Sequence, residues 1–126
     1  MSPTIDDIEE YQYCRSTNLK IEYVIKWKPT IEKYFKQEDI NQALLIIYCE
    51  SRGKETAVGI NKDGTKDVGL WQFNDNTWAW LSPKLKLESD SRYNATVSTS
   101  VASWLVYNDG WYHWNSSKHC WKGQND

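Results

Sequence analysis

The chain has 126 residues, of which 40% are hydrophobic and 25% charged, enough for one globular domain with a single core. Its net charge is −2 with no basic stripe to neutralise phosphates, so nucleic acid is excluded as a partner. The longest apolar run, residues 43–48, is far too short to span a bilayer.

The chain opens acidic and polar, unlike a secretory signal peptide. Thr4 and Asp7 have the spacing of a capping box, which predicts a short helix. Leu19, Ile21, Tyr23, Ile25 and Trp27 then alternate with mostly polar neighbours, and that period of two predicts an extended segment. Pro29 opens a helix with Ile31, Tyr34 and Phe35 on one side. Asp39 caps the next, which runs through Ala43, Leu44 and Ile47 to about Arg52 and stops at Gly53. Residues 57–60, a turn at 61–64 and residues 65–68 read as a β-hairpin with Asp63-Gly64 at its tip. A short helix from Asn76 to Leu81 is expected to end at Ser82-Pro83. Val97, Val101, Trp104, Leu105 and Asn108 mark an amphipathic helix closed by Gly110. The aromatic stretch 111–121 packs over the rest, with Trp114 and Trp121 in the core. The fold class is α+β, mostly helical with a small antiparallel sheet. One domain covers residues 1–126, with 27–123 as its working core and 1–26 as a leading segment.

Eight Trp and eight Tyr against two Phe exceed what a core of this size usually needs. Aromatics with a polar tip suit a groove that meets both water and a sugar ring. The three cysteines, Cys14, Cys49 and Cys120, lack any C-x-x-C spacing, so neither a metal nor a cofactor is expected. A bridge from Cys14 to Cys120 would tie the first segment to the last; the alternative is three free thiols. His113 and His119 read as surface or packing residues. A calcium loop around Asn61, Asp63 and Gly64 fails because its first and last ligand positions fall on Gly59 and Leu70.

One acidic residue stands apart. Glu50 ends a greasy helix, where burial and the negative end of the helix dipole both favour the protonated carboxyl. Asp63 and Asp67 follow on the hairpin, which can fold a second carboxylate back across a groove. Cleaving a glycosidic bond requires such a pair, a proton donor for the leaving oxygen and a partner on the opposite face of the sugar. Asp67 is the expected partner, because Asp63 before Gly64 also reads as plain turn chemistry.

The blocks Cys49-Glu-Ser-Arg-Gly, Ala57-Val-Gly, Gly69-Leu-Trp-Gln and Val106-Tyr-Asn-Asp-Gly occur in the order found in soluble lytic transglycosylase domains, which the chain resembles from Trp27 onward. The hairpin, Asp63-Gly-Thr-Lys-Asp-Val-Gly-Leu-Trp-Gln-Phe-Asn, also resembles c-type lysozymes, down to the 17 residues (67 − 50) between the two acids. The resemblance implies a lysozyme-like fold and a peptidoglycan-degrading activity. It makes Glu50 the general acid and Asp67 the nucleophile or stabiliser; by analogy with goose-type lysozymes, Asp63 instead positions water. It implies substrate binding by Gln72, Asn74, Tyr107 and Trp111, with Ser51 and Trp78 completing that set. Trp71 departs from the pattern by replacing a methionine.

The expected reaction is hydrolysis of the β-1,4 bond between N-acetylmuramic acid and N-acetylglucosamine by a monomer acting outside the cytoplasm, as a secreted or phage-borne enzyme. Carboxyl groups about 5–5.5 Å apart would retain the anomeric configuration, and about 6.5–9.5 Å would invert it. The alternative is a lytic transglycosylase, which needs one acid and lets the muramic 6-hydroxyl attack. A non-catalytic binding or inhibitory module would be expected to lose Glu50 first. Chitooligosaccharides stay open as a second substrate.

Overall fold

The computed structural model describes residues 4–122; residues 1–3 of the acidic start and Gly123, the last residue of the expected working core, lie outside them. Three elements come first: α1 (Ile5–Val24), α2 (Lys28–Glu32) and α3 (Ile40–Ser51). Strands β1 (Val58–Ile60), β2 (Lys66–Val68) and β3 (Phe73–Asn74) follow, then α4 (Asp75–Leu85) and α5 (Ala95–Asp109). A 3₁₀ stretch, Trp111–Ser117, and the short α6 (Lys118–Trp121) close the chain. The architecture is the expected one, mostly helical with one small antiparallel sheet in the order β1-β2-β3.

The core is organised around α3. Ala43, Leu44, Ile46 and Ile47 are fully buried, and Ile40 and Leu45 nearly so, leaving little of the helix for solvent. A helix apolar on nearly every side must be wrapped by others. Here α1, α2 and α6 pack around it. Trp71 enters from the sheet side and is completely buried, its ring 5.6 Å from that of Phe35 and its indole N–H donating to Thr99 Oγ1 at 3.1 Å. Trp114 and Trp121 are core residues as expected.

Asp39 stands at the N-cap of α3 without a side-chain cap bond, and three larger departures from the sequence reading follow. Residues 19–24 continue α1 rather than forming an extended segment. The Thr4–Asp7 capping box is present and no breaker follows it, so the helix runs on for 20 residues. The period of two came from Leu19, Tyr23 and Ile25, all of which face solvent. Val24 is the buried contact, with Ile21 half-buried beside it. The helix α4 also passes through Pro83 to Leu85, where Ser82-Pro83 was expected to end it. Pro83 is exposed, and the carbonyl of Trp78 accepts a 2.7 Å bond from the Ser82 hydroxyl. The turn then closes on Lys86 in the left-handed region, with the Leu87 N–H donating to Ser82 O at 3.0 Å.

The third difference is the disulfide. Cys49 pairs with Cys120 (Cα–Cα 5.9 Å), and Cys14 is free and exposed. Because α6 packs on α3, the C-terminal cysteine is delivered to the end of that helix. The attachment of α1 to α6 is instead a bond from Lys20 Nζ to the carbonyl of Cys120 at 2.9 Å. Among the described residues no His, Cys, Asp and Glu cluster could hold a metal ion, and no helix is long and apolar enough to cross a membrane.

Candidate active site

The end of α3 is joined to the connection between β2 and β3 by a side-chain bond that fixes their relative position. The Ser51 hydroxyl lies 2.7 Å from Leu70 O and 3.1 Å from Ile47 O, tying the last helical turn to the Gly-Leu-Trp-Gln segment. Gly69 makes that segment possible. Its φ is +86°, and a Cβ there would stand 2.0 Å from the carbonyl oxygen of Arg92, so only glycine fits. Arg92 is buried and clamps the far side, donating to Phe73 O at 3.0 Å and pairing with Asp75 at 2.9 Å and Asp90 at 2.7 Å. Asp75 in turn accepts the backbone N–H of Lys66 at 2.9 Å, one residue before Asp67. No local sequence signal singles out Arg92; its role exists only once the chain is folded.

Between these elements lies a cleft of about 260 Å³ lined by Glu50, Asp67, Gln72, Phe73, Asn74, Thr77, His113, Trp114 and Ser116. Glu50 stands in the last turn of α3, half-buried. Burial pushes its carboxyl up to about 7; the nearby Ser117 hydroxyl pulls it down, and the neighbouring charge of Asp67 adds to the rise. This group therefore keeps its proton to a higher pH than an ordinary glutamate. Asp67 also lines the cleft, from β2, paired in register with Asn74 of β3. Asn74 Nδ2 donates to Asp67 Oδ1 at 2.9 Å and to Thr65 Oγ1 at 3.0 Å, while its Oδ1 caps α4 through the N–H of Asn76 at 2.9 Å. Asn74 thus aims the carboxylate of Asp67.

Gln72 has a left-handed backbone, φ +52°, and its amide nitrogen donates to Ala57 O at 3.0 Å and Gly69 O at 2.9 Å. A side chain this firmly held is one of the cleft's rigid edges. Asp63 is elsewhere. It is exposed at the hairpin tip, accepts from the Thr65 N–H at 2.9 Å and Thr65 Oγ1 at 2.7 Å, and those bonds hold its carboxyl below the usual range. Its place is in the turn, for which the Asp-Gly pair is suited.

Four other expected residues do not line the cleft. Ser51 is buried and committed to the bonds above. Trp78 is buried with its ring 5.3 Å from Phe73, because it faces inward from α4 while Thr77 beside it faces the cleft. Tyr107 is 40% exposed; its hydroxyl donates to Asp39 Oδ2 at 2.7 Å and accepts from the Lys36 N–H at 2.8 Å, which fastens α5 to the approach of α3. Trp111 stacks on Phe35 at 6.0 Å as part of the aromatic cluster. Conversely, His113, read as a surface or packing residue, belongs to the cleft with Trp114 and Ser116. These three come from a 3₁₀ stretch whose sequence has no period to read. The i,i+4 spacing of Asp109 and His113, now seen as a 2.7 Å pair, was the one available clue.

A carboxyl that keeps its proton near neutrality beside a second, hydrogen-bonded carboxylate is the arrangement that acid-assisted cleavage of a glycosidic bond demands. The family model of the transglycosylase SLT domain matches residues 29–110. Neither a curated protein nor a solved structure matches the chain. A match over well over half of the 126 residues, from Pro29 through the helix of Glu50 to Gly110, makes this chain a member of the transglycosylase SLT domain family, lysozyme-like enzymes that cleave peptidoglycan.

Proposed function

We propose that this protein is a muramidase, hydrolysing the β-1,4 bond between N-acetylmuramic acid and N-acetylglucosamine. The observation that carries the reading is the carboxyl of Glu50, pushed up to about 7, in the same cleft as the carboxylate of Asp67. Glu50 donates its proton to the glycosidic oxygen as the bond to the anomeric carbon breaks. Asp67, aimed by Asn74, stabilises the positive charge developing on the sugar and takes it as a covalent ester. Water then attacks that carbon and gives a proton back to Glu50, so the anomeric configuration is retained. Gln72 and Asn74 edge the sugar site. The enzyme works as a monomer, needs no cofactor, and acts where the polymer lies, outside the cytoplasm.

The family match favours a second reading, lytic transglycosylation. There the muramic 6-hydroxyl takes the place of water, Glu50 recovers its proton from that hydroxyl, and a 1,6-anhydro sugar is released. Mass spectrometry of digested peptidoglycan separates the two. Products carrying one added water support hydrolysis, and products lighter by one water overturn it. Glu50→Gln is expected to release neither.

A further inference from the structure

The cleft wall at residues 111–117 lies beyond the matched region 29–110, so the family match says nothing of it. Among the residues lining the cleft, His113 is the one basic side chain; the other titratable groups are the acids Glu50 and Asp67. Its ring is fixed from three directions. Nε2 lies 2.7 Å from Asp109 Oδ2, the Tyr112 ring stacks at 4.3 Å, and the Trp114 ring meets it edge-on at 6.1 Å.

The Asp109 carboxyl is held below the usual range by hydrogen bonds from Tyr112 and His113, so it accepts and does not donate. Nε2 must therefore carry a hydrogen, which leaves Nδ1 as the ring's remaining polar atom. With Nε2 protonated, Nδ1 donates only in the imidazolium form. A carboxylate brought to Nδ1 would select that form and gain a charge-assisted hydrogen bond.

We propose that His113, oriented by Asp109, is a specificity-determining residue that receives the free carboxylate on the lactyl branch of a muramic unit. The inference rests on the glycan-cleaving reading above. An anionic glycan entering this cleft meets Asp67, a like charge, and His113 is the one basic lining side chain that can answer it with a hydrogen bond. An uncharged amino-sugar polymer such as chitin has no carboxylate for His113 to bind. The cleft is thereby biased towards the acidic polymer.

The test is calorimetric binding to the Glu50→Gln protein, which leaves the glycan intact. The probes are a muramic acid–glucosamine tetrasaccharide with free lactyl carboxylates and its methylamide. The free acid is expected to bind about tenfold more tightly than the methylamide, as one charge-assisted hydrogen bond allows. Adding His113→Gln should abolish that preference while leaving methylamide binding within about twofold, and Asp109→Asn should reduce it in part. Equal weakening of both ligands by His113→Gln would mean that the ring only shapes the wall, and the proposal falls. It falls too if the parent shows no preference. Product release by the unsubstituted enzyme is followed in parallel. Product without carboxylate preference overturns the subsite alone, whereas preference without product overturns the cleavage reading and leaves the subsite standing.

Discussion

Glu50 and Asp67 bear the same functional group, line one cleft and are both half-buried, yet the elements that carry them differ. Glu50 stands in the last turn of a helix sunk in the core, so its half-buried carboxyl is partly desolvated and the dipole behind it is unfavourable to negative charge. Asp67 stands on a three-residue strand of a hairpin with an exposed tip, and an amide N–H is aimed at its oxygen. On the proposed reading, the surroundings of Glu50 are what make it the proton donor of the pair. The division of labour is a property of the two supporting elements, not of the side chains.

The largest expected effect comes from removing the donor. Glu50→Gln should lower kcat on peptidoglycan by about 10³-fold with glycan affinity retained, read from reducing ends released and from binding. Asp67→Asn should cost about 10²-fold, the scale of losing an electrostatic stabiliser. If it leaves the rate intact while anhydro products appear, the contrast between the two walls has no catalytic meaning. Replacing both Cys49 and Cys120 by serine should lower stability by about 2–4 kcal/mol in urea unfolding, whereas Cys14→Ser should change nothing measurable, since that thiol is exposed and unbridged.

The contrast can also be sharpened with pH. Because Glu50 is raised from 4.5 to about 7 in the folded state, kcat should fall as pH rises through about 7. The same shift has a stability sign. The folded protein binds this proton more tightly than the unfolded chain, so the contribution is full below about 4.5 and is lost by the time pH passes about 7. Glu50→Gln should therefore raise Tm relative to the parent at pH 8 and leave it little changed at pH 4. The smallest effect is expected from Asp63→Asn, a change at an exposed turn, with activity unchanged and stability within about 0.5 kcal/mol.

How much of this was legible in the sequence follows from how local each signal is. The buried helix ending at Glu50, the helix closed by Gly110 and the hairpin around Asp63-Gly64 were all readable, because periodicity, caps and turn residues report on neighbours in the chain. The first helix was not, since Leu19, Tyr23 and Ile25 are exposed apolar residues that imitate a strand's alternation. The pairing of Cys49 with Cys120, the Arg92 clamp and the inward turn of Trp78 depend on which elements pack together. Tyr107 was expected to bind substrate from the resemblance, and its hydroxyl is engaged by Lys36 and Asp39. His113 was hidden because a 3₁₀ stretch offers no period from which to infer a facing side.

The bridge between Cys49 and Cys120 encloses the hairpin, the cleft's other acid and two helices in one covalent ring, with Glu50 just inside its starting point. A protease nick at the exposed tip, residues 61–64, opens that ring without releasing either half. Both walls stay on a single molecule after such a cut, and only reduction of the bridge lets them drift apart.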